Sequence, residues 1–237
     1  MTARIQCPRC GARKSWLLKN GRRRCARCRR DWRPGRLPLR LSAPQWRALL
    51  RWFVRGAPSA EIARETGLGR KRVLRALLVV RRAMLRTALG SGRRVAPQRS
   101  ATPRAAVATL GLLVTADGRV WAEVVPALEA EQFGDWLRAR NGRRSPTRHS
   151  HPRYTAVVYR GRLHRLADAG AARVPFGRVE AFWAYLQRQL RATGGIRRER
   201  LGLYLAGYAW RYNHRTLSPA EQLAAILTLI RQPRKVD

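Results

Sequence analysis

The chain has 237 residues, with 51 lysines and arginines against 13 aspartates and glutamates, a formal net charge of +38. Its pI near 12.0 calls for a polyanionic partner, while a 45% hydrophobic content and eight tryptophans exclude a disordered basic tail. Arginines interrupt the longest apolar runs, so no stretch reaches the roughly 18 apolar residues of a membrane helix. Nucleic acid is the natural partner.

Four cysteines come first: Cys7-Pro8-Arg9-Cys10 and Cys25-Ala26-Arg27-Cys28, two C-x2-C pairs with fourteen residues between them. That spacing suits a tetrahedral thiolate cage around one Zn2+, and predicts a zinc ribbon over residues 1–36. Disulfides are the alternative reading. They imply secretion, yet Met1-Thr2-Ala3-Arg4 leads into a polar segment without an apolar leader, so a reducing, cytoplasmic setting close to the nucleoid is expected. With four protein thiolates as ligands, no position stays open for a catalytic water, and the metal is expected to be structural.

The ribbon ends at Arg33-Pro34-Gly35-Arg36 and Leu37-Pro38, which break any regular element. Ser42 and Gln45 then read as a capping box opening a helix through Trp46, Leu49, Leu50 and Phe53. Ser59 is expected to cap a short helix ending at Thr66. Gly67-Leu68-Gly69 turns the chain into a long helix from Arg70 to about Leu89. Short helix, glycine turn and longer helix over 42–89 predict a helix-turn-helix. On the long helix Lys71, Arg75, Arg82 and Arg86 share one side, and Val73, Leu77, Val80 and Met84 the other. With Arg72, the basic residues are the predicted phosphate contacts for duplex DNA. An ordinary solvated basic face is the plainer reading, but no acid occurs between Glu65 and Asp117 to balance it.

Residues 90–104 are rich in Gly, Ser, Pro and Arg and read as a linker. The third block, 105–237, opens with an apolar run from Ala106. Asp117-Gly118 supplies the turn of a β-hairpin whose second strand starts at Val120. Pro126 precedes an amphipathic helix through Phe133, Trp136 and Leu137, then a basic loop from Asn141 to Pro152. Residues 153–159 read as either a short helix or a strand, with a strand after Gly161. Helices follow through Val179, Trp183, Leu186 and Leu190, and through Leu201–Tyr212. A last helix is opened by Ser218-Pro219-Ala220-Glu221. The whole is a multidomain α+β protein ending in a mixed α/β domain.

Glu180-x-Phe182-Trp183, with Arg188, and Trp210-Arg211-Tyr212-Asn213-His214-Arg215 downstream resemble bacterial insertion-sequence transposases with an N-terminal zinc ribbon and a DDE-type catalytic domain. The resemblance covers nearly the whole chain. It implies an RNase H-like integrase core, binding to insertion-sequence ends as a homo-oligomer, and DNA transposition by carboxylates that hold two Mg2+ ions.

The chain departs from that pattern at the acids. No Asp or Glu lies between Gly90 and Ala116, where the resemblance implies the first carboxylate. His149 stands in the second place, and Gly177 replaces an asparagine that normally precedes the third. Glu180 is the acid retained. One carboxylate does not organise two magnesium ions. Asp117 and Asp168 are the nearest substitutes, and Asp117 is better explained as the hairpin turn residue. His149, His151 and His164 are expected to face solvent or phosphate. The resemblance therefore implies a DNA-binding transposase relative with defective catalysis. The alternative is a zinc-ribbon regulator of DNA or RNA without that chemistry, for which Trp16, Trp32 and Trp46 are the possible base-stacking residues.

Overall fold

The computed structural model describes residues 7, 10, 12–32, 37–89, 108–115, 117–126, 130–135, 154–166, 176–193 and 196–231. They belong to a mixed α/β chain with two antiparallel sheets. Two compact units divide it: Met1–Ala83 with Leu217–Asp237, and Met84–Thr216. No helix among the described residues is long and apolar enough to cross a membrane.

The first unit begins with a three-stranded meander of β1 (Ser15–Leu17), β2 (Arg23–Cys25) and β3 (Asp31–Trp32). Its first turn closes when Leu18 N–H donates to Arg22 O at 2.7 Å, with Gly21 at φ +71°, a left-handed conformation that glycine adopts without strain. Helix α1 (Ala43–Val54) has the expected capping box: Gln45 N–H donates to Ser42 Oγ at 3.3 Å and Ser42 N–H to Gln45 Oε1 at 2.9 Å. Helix α2 (Ser59–Thr66) begins one residue earlier than expected. Pro58 occupies its N-cap with ψ 155° and no side-chain cap bond, so Ser59 is the first helical residue and not the cap. A proline has its φ fixed and suits this boundary, which moves the start of the helix. Gly67 ends α2 at φ +65° and Leu68 is buried in the turn.

Helix α3 (Arg70–Leu89) buries Val73, Leu77, Val80 and Met84, as the periodicity predicts, and Ala76 with them. The last helix, α6 (Pro219–Arg231), carries the predicted Ser218–Glu221 cap, with Ser218 N–H donating to Glu221 Oε2 at 2.8 Å. It packs on α1, not within the third block, and falls in the first unit. Its buried Ile226, Leu227 and Ile230 match the Trp46, Leu49, Leu50 and Phe53 stripe of α1.

The second unit is built on β4 (Leu110–Val114), β5 (Val120–Val124), β6 (Ala156–Tyr159) and β7 (Arg162–Arg165). Their order is β5-β4-β6-β7, and every neighbouring pair is antiparallel. The β4–β5 hairpin turns at Asp117-Gly118 as expected, with Gly118 at φ +78°. Within the segment 153–159, open between helix and strand in the sequence, Ala156–Tyr159 form β6. It reaches β7 through Arg160 and Gly161 at φ +48° and +78°, the mirror-image turn whose twist suits a two-residue hairpin.

Alternation along the strands gives the sheet two apolar faces. Leu110, Leu112, Val120, Ala122, Ala156 and Val158 pack with Val179, Phe182 and Leu186 of α4 (Phe176–Thr193) and with Leu205, Tyr208 and Ala209 of α5 (Arg198–Asn213). Val157 faces the other way, among Val125, Phe133, Tyr154 and Leu166. Phe133 belongs to helical residues 130–135, while Trp136, Leu137, the 141–152 loop and the 90–104 linker lie outside the described residues.

The residues that carry the transposase resemblance form a structural seam. Tyr212 meets Phe182 and Tyr185 with ring centroids 5.0 and 5.3 Å apart. Arg215 lies 4.1 Å over the Tyr212 ring, and Trp210 stacks on His214 at 4.0 Å. Asn213 meets the outer edge of β5. Because Thr115 N–H bonds to Arg119 O, the next pair leaves the N–H and C=O of Val120 directed outward. Val120 N–H donates to Asn213 Oδ1 at 2.9 Å, and Asn213 Nδ2 donates to Val120 O at 2.9 Å. Replacing Asn213 with Ala deprives two part-buried backbone groups of their partner. The unfolding free energy is expected to fall by about 1–3 kcal/mol, and a urea titration of the full chain will measure it.

Candidate functional site

Each half of the cysteine cluster is set by the same backbone device. Cys7 N–H donates to Ala12 O at 2.9 Å, and Cys25 N–H to Arg30 O at 3.0 Å, the second bond curling the chain around Cys25. Arg29 adopts φ +54° to complete that curl. Cys7 and Cys25 are buried, Cys10 and Cys28 partly so.

The four sulfurs all lie within 4.8 Å of one another. Cys7 Sγ is 3.6 Å from Cys28 Sγ, and Cys10 Sγ is 3.4 Å from Cys25 Sγ. Thiolates placed about 2.3 Å from a tetrahedral ion lie roughly 3.8 Å apart, close to these separations. The donor set therefore fits a metal such as zinc. The N–H groups of Arg27 and Cys28 point at Cys25 Sγ from 3.3 and 3.5 Å. The Cys28 N–H is the main cause that lowers the Cys25 thiol from 9.0 to about 6, against the opposing effect of burial. Backbone hydrogen bonds thus favour the thiolate, the form that ligates metal.

The second candidate site is the exposed side of α3. Lys71, Arg72, Arg75 and Arg82 are exposed, and Arg86 is half-buried. At about 1.5 Å per residue, the row from Lys71 to Arg86 runs roughly 22 Å along the helix. After the Gly67–Gly69 turn, Arg70 and Leu74 are also exposed, so the first turns of α3 present a cationic surface around one apolar side chain.

Among the described residues, the third block gathers no comparable group of acids. Glu180 is exposed on α4, about 100° around the helix from Val179, which is buried. Asp117 is engaged by its own turn: Thr115 Oγ1 and Arg119 N–H donate to it, and Arg119 Nε pairs with it at 3.1 Å. The Thr115 bond is the main cause that holds its carboxyl below the usual value. Asp168, His149 and His151 lie outside the described residues, while His164 sits half-buried on β7. Among the described residues, the four cysteines are the group of His, Cys, Asp or Glu placed to hold an ion. Around Glu180 the described residues do not fit a magnesium site. Asn213, which the sequence presented as part of a motif, is a sheet-edge partner instead.

Trp46 is fully buried, its Nε1–H donating to Pro38 O at 3.2 Å, so it is not a stacking surface. Trp32 is half-buried, and Trp16 is open to solvent. No family model matches this sequence, and no curated protein or solved structure matches the chain.

Two outcomes follow for the cysteine cluster. Cys25→Ser is expected to lower any metal content of purified protein, read by atomic emission, and raise hydrogen exchange across β1–β3 while α1 stays protected. The folded-state thiol value is depressed, so the Cys25 contribution is fully present above about 9.0, and is lost as the pH falls through about 6. Chelator competition will show metal retention weakening in that direction.

Proposed function

We propose that the chain is a DNA-binding relative of insertion-sequence transposases whose ribbon holds structural Zn2+, whose helix-turn-helix binds duplex DNA, and whose RNase H-like core lacks its metal-binding acids. The observation that carries DNA binding is the exposed row Lys71, Arg72 and Arg75 on the first turns of α3, directly after the Gly67–Gly69 turn. It stands in a segment with no acid between Glu65 and Asp117 to neutralise it. Zinc is favoured over other ions because four thiolates in a closed tetrahedral set suit its borderline-soft character. In this reading the metal does no chemistry. It supplies the folding energy that a short meander with little apolar core lacks.

Binding is electrostatic in its main part. Lys and Arg displace counterions from the phosphates, so log affinity falls with log salt by roughly 0.9 per phosphate neutralised. The backbone at the start of α3 and its arginines fix the register of the helix on the duplex, and only side chains that reach base edges carry sequence preference. The core contributes further positive surface. Its exposed Glu180, which belongs to no group of three or more ligating side chains among the described residues, supports the loss of phosphodiester chemistry.

The double variant Lys71→Ala/Arg75→Ala is expected to weaken duplex binding and reduce the salt slope by about 2, as read by fluorescence anisotropy over a salt series. A supercoiled plasmid incubated with the protein and Mg2+ or Mn2+ is expected to stay uncut. Cleavage that disappears in Glu180→Gln would mean that a working metal site exists and that the catalytic part of this reading is wrong.

A further inference from the structure

The ribbon presents a surface that neither the metal nor the helix-turn-helix uses. Trp16 is 52% exposed and Leu17 is 68% exposed, on the strand that forms the edge of the meander. An indole is rarely left this open in a small module with few apolar residues to bury, unless it meets a partner. Side chains alternate along a strand, and Trp16 stands opposite Arg24, which stands opposite Asp31. The Trp16 face thus carries Arg24, with its guanidinium held by Asp31 through bonds of 2.7 and 3.2 Å. That pair consumes the one acid between residues 7 and 32.

The remaining charge is of one sign. Arg13, Lys14, Lys19, Arg22, Arg27, Arg29 and Arg30 are all exposed around the meander. An exposed aromatic plane inside a dense cationic surface matches a polyanion that also offers free planar rings. Duplex DNA offers phosphates but keeps its bases stacked, whereas a single strand offers both. The hairpin is stiff enough to hold the ring in place, since its turn is closed by Leu18 N–H to Arg22 O and by Arg22 N–H to Asn20 Oδ1 at 3.0 Å.

We propose that the ribbon hairpin binds single-stranded DNA, with an unpaired base stacked on Trp16 and its phosphates held by the surrounding lysines and arginines. This rests on the DNA reading above for the choice of DNA, and assigns the ribbon and α3 to different forms of it: the helix to the duplex, the hairpin to the unpaired strand.

The test uses the full zinc-loaded chain and three probes: an oligothymidylate of about 15 nucleotides, near the upper site size of single-strand-binding modules, an oligouridylate of equal length, and a duplex. Trp16→Ala is expected to weaken oligothymidylate binding about 10-fold or more, with zinc content and duplex binding unchanged. Trp16→Phe is expected to restore most of the loss, because a phenyl ring still stacks. Unchanged oligothymidylate binding in Trp16→Ala overturns the proposal. So does an equal loss on the duplex, and so does tighter, Trp16-dependent binding of oligouridylate, which would make the ligand RNA. If Lys71→Ala/Arg75→Ala leaves duplex binding intact while Trp16→Ala still weakens the single strand, the α3 reading fails and the ribbon assignment stands.

Discussion

Self-repulsion governs this molecule. A folded chain with 38 net positive charges brings like charges closer than they are when unfolded, and compactness must be won against that cost. The acids relieve little of it. Asp31 pairs with Arg24, Glu65 with Arg64 and Asp117 with Arg119, each a surface pair between near neighbours in sequence, and surface pairs contribute little to stability. Cohesion comes instead from the two apolar faces of the sheet, from the α1–α6 seam, and from the cluster of four thiols that could hold a cation. A bound polyanion would relieve the repulsion without disturbing those contacts.

An ion held by the thiol cluster would enter an already positive segment, and the sulfurs would bring negative charge to meet it. Four thiolates around a divalent ion would leave a net negative centre beneath a surface of arginines. The N–H groups directed at Cys25 Sγ spread that charge into the backbone. Such a centre would organise the meander from inside by charge of the opposite sign to its surface.

Features set by a few adjacent residues were legible in the sequence. The Ser42–Gln45 and Ser218–Glu221 caps, the Asp117-Gly118 turn, the Gly67 break and the buried stripe of α3 each depend on side chains within a few positions. What was not legible depends on distant partners. Asn213 and Val120 are 93 residues apart, and nothing in the spacing of Trp210 to Arg215 announces an open strand edge waiting for an amide. That the helix after Ser218 packs on α1 was hidden for a similar reason, since its stripe does not name its partner. The Arg160-Gly161 hairpin hid because an arginine at positive φ has no signature of its own. Of the candidate site, the cysteines and the α3 face were readable from spacing and period, whereas the different fates of Trp16, Trp32 and Trp46 were decided by packing.

The two borders of the larger sheet are guarded in different ways. Along β5 the outward backbone groups of Val120 are occupied by the Asn213 amide, a neutral lock that salt does not loosen. At the other end of the strand order, β7 has four residues with exposed Arg162 and Arg165 at its ends, and what discourages a second copy from adding a strand there is mutual repulsion. That second guard is conditional. Where salt screens the surface, two such borders no longer repel, so the conditions that quiet the chain's charge also bring its copies within reach of aggregation.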